Sequence, residues 1–128
     1  MARVMVVDDS VAVRRIIAKI LVFAGHEVVC EAGDSETAVE LYGMHMPDVV
    51  TMDIKMRGTD GIQSARQILQ IDPEARIIMI TAVGDQDYVL ESMRLGARQY
   101  LVKPIQADRL VSVVNDVMAG SGPTTSAA

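Results

Sequence analysis

The stretch Val49-Val50-Thr51-Met52-Asp53-Ile54-Lys55-Met56 is an apolar run that contains one acid. It is too short for a stable helix, and turn-forming residues bound it, with Pro47-Asp48 before it and Arg57-Gly58 after it. This pattern predicts a strand that is buried on both faces of a parallel sheet and has Asp53 at its carboxyl end. In open α/β sheets, ligands bind in the crevice at that end. Asp53 is therefore the first candidate functional residue.

The rest of the chain alternates between short apolar runs and helical patterns. Further strands are predicted over Arg3–Val7, Glu27–Ala32, Ala75–Ile80 and Gln99–Val102. Helices are predicted from Ser10 to Ala24, from Asp34 to before Pro47, over Ile62–Gln70, over Asp85–Leu95 and after Pro104. Five alternations of strand and helix predict a parallel sheet with helices on both faces and right-handed crossovers.

Two helices show their buried faces in the spacing of apolar residues. The first has Ser10 as its cap and an inner face of Val13, Ile16, Ile17, Ile20, Leu21 and Ala24. The last has Leu110, Val113, Val114, Val117 and Met118 on one stripe. The residues 57–61 are predicted to form a loop, because they are rich in turn formers. We expect one domain over residues 1–119 and a flexible tail or linker remnant over 120–128.

Composition excludes several classes of protein. The chain has 128 residues, of which 50% are hydrophobic and 23% charged, which is typical of one globular domain. A formal net charge of -5 argues against a direct grip on nucleic acid or anionic lipid. No apolar stretch reaches membrane-span length, and Asp8 and Asp9 come too early for a signal peptide, so we expect a cytoplasmic protein without membrane insertion. Cys30 is the one cysteine and is predicted to be a small buried thiol.

Polar side chains follow four of the five predicted strands. Asp8 and Asp9 end the first, Asp53 ends the third, Thr81 ends the fourth and Lys103 follows the fifth. Three carboxylates in one cleft repel one another unless a cation compensates. Carboxylate and carbonyl oxygens suit Mg²⁺. A zinc site is not expected, because His26 and His45 lie near helix ends away from this edge and are more typical of surface or interface positions.

Together these groups are suited to phosphoryl transfer. A carboxylate can act as the nucleophile that forms an aspartyl phosphate. A metal ion, the Lys103 ammonium and the Thr81 hydroxyl would then contact the phosphoryl oxygens. A single acid at a strand end is a common turn residue and predicts little by itself. Five suitable groups on four strand ends are a much more specific pattern.

The chain resembles the receiver domain of bacterial two-component response regulators. The resemblance rests on Val6-Val7-Asp8-Asp9-Ser10, Met52-Asp53-Ile54-Lys55-Met56 followed by Asp60-Gly61, Thr81-Ala82 and Val102-Lys103-Pro104, and it runs from about Arg3 to Met118. It implies a flavodoxin-like, doubly wound (βα)5 fold with a five-stranded parallel sheet in the order 2-1-3-4-5. It also implies a signalling protein rather than an enzyme.

The resemblance assigns the acids. It implies that Asp53 accepts a phosphoryl group from a phosphohistidine on a partner histidine kinase. Asp9, Asp53 and the backbone carbonyl of Lys55 would hold Mg²⁺, and Asp8 would act through the waters of the metal ion.

The resemblance also implies roles on the last two strands. Lys103 would pair with the phosphoryl group, and its peptide bond to Pro104 is expected to be cis. Thr81 and Tyr100 occupy the positions of the switch pair. The Thr81 hydroxyl would move toward the phosphoryl group, Tyr100 would swing inward, and the surface of the fourth helix, fifth strand and fifth helix would change.

Three positions near the site depart from the pattern or vary in it. Arg57 stands where relatives commonly have proline, so we expect a more mobile loop beside Asp53. Lys55 and Val83 lie where side chains influence the water that hydrolyses the aspartyl phosphate. Val83 cannot orient a water, and Lys55 can shield the phosphoryl group, so slow self-dephosphorylation is expected.

Among receivers, the chain looks most like single-domain chemotaxis regulators of the CheY type. That resemblance implies a CheA-like kinase as phosphodonor, a flagellar motor switch protein as downstream partner, and a phosphatase as a further partner. Three alternatives stay open: a receiver cut from a larger regulator such as a DNA-binding one, a flavodoxin-like nucleotide or flavin binder, and a metal-dependent phosphatase with an aspartyl nucleophile. The nucleotide binder would need a phosphate-cradling glycine loop, where this chain has Asp8-Asp9.

Overall fold

The centre of the molecule is a five-stranded parallel sheet. The computed structural model describes residues 1–82 and 84–120, apart from the side chain of Thr59. The sheet order is β2-β1-β3-β6-β7, which confirms the predicted order 2-1-3-4-5 when the five long strands are counted along the chain. The strands of the described chain are β1 (Arg3–Val7), β2 (Glu27–Ala32), β3 (Val49–Asp53), β4 (Lys55–Met56), β5 (Thr59–Asp60), β6 (Ile77–Thr81) and β7 (Gln99–Val102).

Helices follow each of the long strands. Three of them begin at side-chain caps that accept backbone N–H groups, since Ser10, Asp34 and Asp60 bond the N–H of Val13, Thr37 and Ile62 at 3.2, 2.8 and 2.9 Å. The helices are α1 (Val11–Phe23), α2 (Ser35–His45), α3 (Gly61–Ile71), α4 (Gln86–Leu95) and α5 (Ala107–Met118). None of these helices is long and apolar enough to cross a membrane.

The helices divide between the two faces of the sheet. On one face, α1 and α5 bury Ile17, Leu21, Leu110, Val113, Val114 and Val117 against the strands. On the other face, α2 and α3 bury Ala38, Tyr42, Ile62, Ala65 and Ile68, with Met93 and Leu95 of α4 packed beside them. The strands β3 and β6 are buried along their whole length, as expected for a parallel sheet covered on both sides.

The structure corrects several local predictions. Residues 57–61 were predicted as a loop, but β5 lies within them and pairs with β4 as a short antiparallel ribbon, and α3 begins directly after β5. Ile16 was placed on the inner face of α1 and is 53% exposed, because the buried stripe narrows to Ile17 and Leu21. Ala24 is also exposed. The predicted tail over 120–128 lies outside the described residues except for its first residue, Gly120.

The register of the strands brings the functional side chains to one edge. Val7 pairs with Met52, so Asp8 follows at the level of Asp53. On the other side of β3, Asp53 pairs with Ile80, and Thr81 is the next residue of β6. Lys103 then follows β7. The groups predicted at the carboxyl ends are thus assembled there.

Candidate functional site

Three carboxylates meet at the carboxyl end of the sheet. Asp8, Asp9 and Asp53 each offer one oxygen, and these oxygens all lie within 4.8 Å of one another. Asp53 is 4% exposed and Asp8 is 1% exposed, whereas Asp9 is partly exposed at the mouth of the site. The prediction that these acids converge is confirmed.

The loop after β1 fixes the position of Asp8. The backbone N–H of Ser10 donates to Asp8 Oδ1 at 2.9 Å. The guanidinium of Arg14 donates to the Asp8 carbonyl oxygen at 2.6 Å and to Glu31 Oε1 at 3.1 Å. These bonds hold the start of α1 against β2, so the carboxylate of Asp8 faces the site from a rigid position.

Lys103 places a positive charge between the two buried acids of this cluster. Its ammonium nitrogen lies 3.3 Å from Asp8 Oδ2 and 3.4 Å from Asp53 Oδ1. Its backbone N–H donates to the Thr81 carbonyl at 2.7 Å, and its peptide bond to Pro104 is cis, as expected. Burial alone would lower the pKa of Lys103, but Asp53 and Asp8 outweigh it and raise that pKa. Lys103 is therefore charged at neutral pH.

One lysine does not neutralise the site. Burial, reinforced by the charge of Asp8, raises the pKa of Asp53 to about 6, although Lys103 opposes the shift. The raised pKa means that the ionised form of Asp53 is disfavoured, because the site is partly dehydrated and holds more negative than positive charge. The donor set consists only of oxygens, and a divalent cation would remove the excess. The residues present therefore fit Mg²⁺.

Arg57 reaches back across the site to Asp9, a contact that was not predicted from the sequence. Its backbone N–H donates to Asp9 Oδ2 at 2.8 Å, and its Nε lies 3.5 Å from the same oxygen. The backbone hydrogen bond and the guanidinium together lower the pKa of Asp9. A proline at position 57 would have no N–H to donate, so the departure noted in the sequence creates this contact.

Thr81 lies beside the acids, and its hydroxyl is already engaged. Thr81 Oγ1 lies 3.3 Å from the carbonyl oxygen of Ala82 and 3.4 Å from Asp85 Oδ2, and its single hydroxyl proton can be donated to either acceptor. The other oxygen of Asp85 lies 3.1 Å from the ammonium of Lys55. The sequence predicted Asp85 only as the start of a helix. Its contact with the Thr81 hydroxyl and the Lys55 ammonium depends on tertiary structure.

The remaining predicted positions are less enclosed. Tyr100 is 41% exposed on β7, so its ring points away from the core in this structure. Val83 lies outside the described residues.

His26 accepts a hydrogen bond from the Ala2 N–H at 2.9 Å, and Cys30 is partly buried, which raises the pKa of its thiol. Neither belongs to the acidic cluster of the described chain.

The position after Asp60 leaves no room for a side chain, which accounts for the glycine at position 61. Its N–H donates to the Ile54 carbonyl at 2.7 Å, and a Cβ at this position would overlap the carbonyl oxygen of Asp53. The start of α3 therefore packs against the backbone that carries Asp53. The Asp60-Gly61 pair quoted from the sequence was the signal for this close approach.

The family of this chain follows from its similarity to known proteins. The model of the response regulator receiver domain matches residues 4–115. The chain belongs to this family. Receivers act as phosphorylation-dependent signalling switches, and the acids, threonine and lysine of this receiver are assembled at the edge of the sheet where such chemistry would occur.

Individual relatives cover nearly all of this receiver. The chemotaxis protein CheY of Bacillus subtilis (strain 168) is 47% identical over 116 residues, which is 91% of this chain and 97% of CheY. A LuxR-family two-component response regulator from Aurantimonas sp. SI85-9A1 superposes with a TM-score of 0.90 at 34% identity, covering 95% of this chain and 88% of that one. The CheX-CheY-BeF3-Mg²⁺ complex from Borrelia burgdorferi matches with a TM-score of 0.86 at 35% identity, covering 90% and 87%.

Proposed function

We propose that this receiver accepts a phosphoryl group on Asp53 from a phosphohistidine of a partner histidine kinase. The observation that carries the proposal is the environment of Asp53. It is a buried carboxylate at the end of the central strand, with two further acids within reach of the same cation and Lys103 Nζ at 3.4 Å. A structural acid at a strand end would need none of these neighbours.

The chemistry is an in-line displacement at phosphorus. A carboxylate oxygen of Asp53 forms the new bond to phosphorus as the bond to the kinase histidine nitrogen breaks, and the electron pair leaves with that nitrogen. Because the pKa of Asp53 is about 6, the carboxylate is mostly ionised, and so nucleophilic, at neutral pH. Lys103 is placed to pair with a phosphoryl oxygen once the negative charge has moved outward from Asp53.

Mg²⁺ is the proposed cofactor. Asp9, Asp53 and the backbone carbonyl of Lys55 would hold the ion directly, and Asp8 would contact its waters. When bound, the ion neutralises charge on the phosphoryl oxygens. Arg57 contributes a second positive charge at the outer edge of the site, through Asp9.

Phosphorylation would then change a surface. The phosphoryl group adds strong acceptor oxygens, toward which the Thr81 hydroxyl would move. Tyr100, exposed in this structure, would fill the vacated space, and the surface of α4, β7 and α5 would be altered for a downstream protein.

We further propose a role in chemotaxis, in the cytoplasm, with a CheA-like kinase and a flagellar motor switch protein as partners. The support is the 47% identity to a chemotaxis protein over almost its whole length. The CheX–CheY complex of Borrelia burgdorferi supports a further protein partner, and we propose that this partner is a phosphatase. Deleting the gene should alter swimming reversals, and the Asp53→Asn variant should fail to restore them. Normal swimming after deletion would refute the chemotaxis role and leave the receiver chemistry untouched.

The phosphoryl chemistry is tested by intact mass. The protein is incubated with acetyl phosphate with and without Mg²⁺, beside the Asp53→Asn variant. We expect one phosphoryl adduct that requires both Mg²⁺ and Asp53, and the adduct should decay slowly after the donor is removed. A half-life of seconds would contradict slow self-dephosphorylation. Turnover of many small phosphate esters would instead indicate a phosphatase.

A further inference from the structure

Asp85 occupies a helix-capping position but does not cap the helix. It is the N-cap residue of α4, where an acid ordinarily accepts backbone N–H groups of the first turn. Its side chain makes no such bond. In contrast, Asp34 and Asp60 at the starts of α2 and α3 both cap their helices. The carboxylate of Asp85 is therefore available to contact other groups.

Those partners are two donors that flank the phosphorylation site. One carboxylate oxygen lies 3.1 Å from the ammonium of Lys55, and the other accepts the Thr81 hydroxyl at 3.4 Å. Lys55 also lies over the ring of Tyr88, at 5.1 Å from the ring centroid. The group Lys55, Thr81, Asp85 and Tyr88 thus ties β4 and the end of β6 to the first turn of α4.

Lys55 forms this ion pair from a position close to Asp53 in the chain. Lys55 follows Asp53 by two residues, on the segment that leaves β3. In this structure its ammonium is turned toward α4, although it stands next to a site that would gain negative charge.

Resting on the proposed phosphorylation of Asp53, we propose that Asp85 is a positioning residue that competes with the phosphoryl group for Thr81 and Lys55. In the unphosphorylated protein it holds both donors on the α4 side. Phosphorylation brings about 1.5 to 2 negative charges, with oxygens that need such donors. The two donors then exchange partners, and α4 loses its tie to β4.

Because of this exchange, Asp85 should destabilise the phosphorylated state relative to the unphosphorylated one. The energy of the two contacts with Asp85 is lost when the donors move, so removing this carboxylate should favour phosphorylation. Exposed or half-exposed contacts of this kind are individually weak, so we expect their combined loss to change the equilibrium about three- to tenfold. Removing Asp85 also frees Lys55 to shield the aspartyl phosphate from water, so the adduct should live longer.

The test is a double-mutant cycle on the full chain. Asp85→Ala, Lys55→Met and the double variant are phosphorylated with limiting acetyl phosphate and Mg²⁺. The phosphorylated fraction and its decay after donor removal are followed by intact mass. Asp85→Ala loses no helix cap, and Asp85→Asn provides a variant of unchanged shape. Asp87→Asn is the matched control, because it removes the same charge from the first turn of the same helix.

We expect Asp85→Ala to raise the phosphorylated fraction and lengthen the lifetime about three- to tenfold, with a smaller gain for Asp85→Asn. The gain should shrink in the Lys55→Met background, where one of the two competing donors is gone. A structural role alone would not produce a gain of this kind. If the parent protein is phosphorylated but Asp85→Ala behaves like Asp87→Asn, the competition is refuted. If the parent protein takes no phosphoryl group, the proposed function fails and the competition with it.

Discussion

Replacing Asp53 by asparagine should stabilise the metal-free protein. The pKa of Asp53 is raised from 3.8 to about 6, chiefly by burial and then by the charge of Asp8. A carboxyl group with this difference between the unfolded and folded chain lowers the stability by about 3 kcal/mol at a pH above both values. Asparagine has nearly the same shape as the acid without its charge, so Asp53→Asn should recover most of that amount.

The effect has a defined pH window. Between pH 4 and 6 the folded protein holds a proton on Asp53 that the unfolded chain has already lost, so the stability of the parent protein falls as pH rises through about 6. The variant lacks this contribution. Its advantage should therefore grow from about 0.5 kcal/mol at pH 4 to about 1.5 at pH 5 and about 3 at pH 8.

The assay is urea denaturation at these three pH values, with a chelator present. The Asp116→Asn variant, which removes an exposed acid from α5, serves as the control and should show little change. Added Mg²⁺ should stabilise the parent protein more than Asp53→Asn, because the variant lacks one proposed ligand. If Asp53→Asn is less stable than the parent protein at pH 8 without metal, the view of Asp53 as an electrostatically frustrated acid is wrong.

Three further predictions concern other contacts, and one of them includes a control substitution. Gly61→Ala should destabilise the fold by more than about 2 kcal/mol in urea denaturation, because its Cβ would overlap the backbone of β3, whereas Gly43→Ala, in open space on α2, should stabilise by up to about 1 kcal/mol. Equal effects would contradict the close approach. Arg57→Ala should tighten Mg²⁺ binding in calorimetric titration, because the Arg57 guanidinium pairs with Asp9 and so competes with the ion for a proposed ligand. The Arg57 side chain is 90% exposed, so the effect should be only about two- to fivefold. Weaker Mg²⁺ binding by the variant would refute this competition for Asp9. Tyr42→Phe should cost about 1 to 2 kcal/mol in unfolding free energy, because the buried hydroxyl donates to a carboxylate at 2.7 Å; no loss would contradict that bond's contribution.

The fold could be predicted from local pattern because each element carried its own signal. The bounds of β1, β2 and β7 agree with the apolar runs from which they were predicted. The caps Ser10 and Asp34 also lie where the sequence placed them. The ribbon of β4 and β5 was missed because two-residue strands are too short to show a period. Ile16 was misplaced because apolar spacing marks the direction of a helix face but not its width.

The site could be predicted only as far as strand ends define it. Parallel strands must bring Asp8, Asp53, Thr81 and Lys103 to one edge, so their meeting follows from order alone. The contact of Arg57 with Asp9 depends on how the loop after β4 folds back. Such contacts join residues distant in sequence, and no local period encodes them. The side chains that tune the site were therefore found only in the structure.

The site holds more negative than positive charge. The three acids of the cluster face one internal lysine, and a second cation at Arg57 touches only the outer acid. We therefore expect the proposed divalent cation to bind before the phosphoryl group, because it would offset the excess of negative charge.

Locating the modified residue tests the assignment of Asp53 as the phosphoacceptor. The protein is phosphorylated with acetyl phosphate and Mg²⁺, reduced with borohydride, which converts an aspartyl phosphate into homoserine, and mapped by peptide mass spectrometry. If Asp53 is the phosphoacceptor, homoserine should be found at position 53 and at no other aspartate. Conversion at Asp8 or Asp9, or an adduct on a residue that borohydride leaves unchanged, would contradict the assignment of Asp53 as the phosphoacceptor.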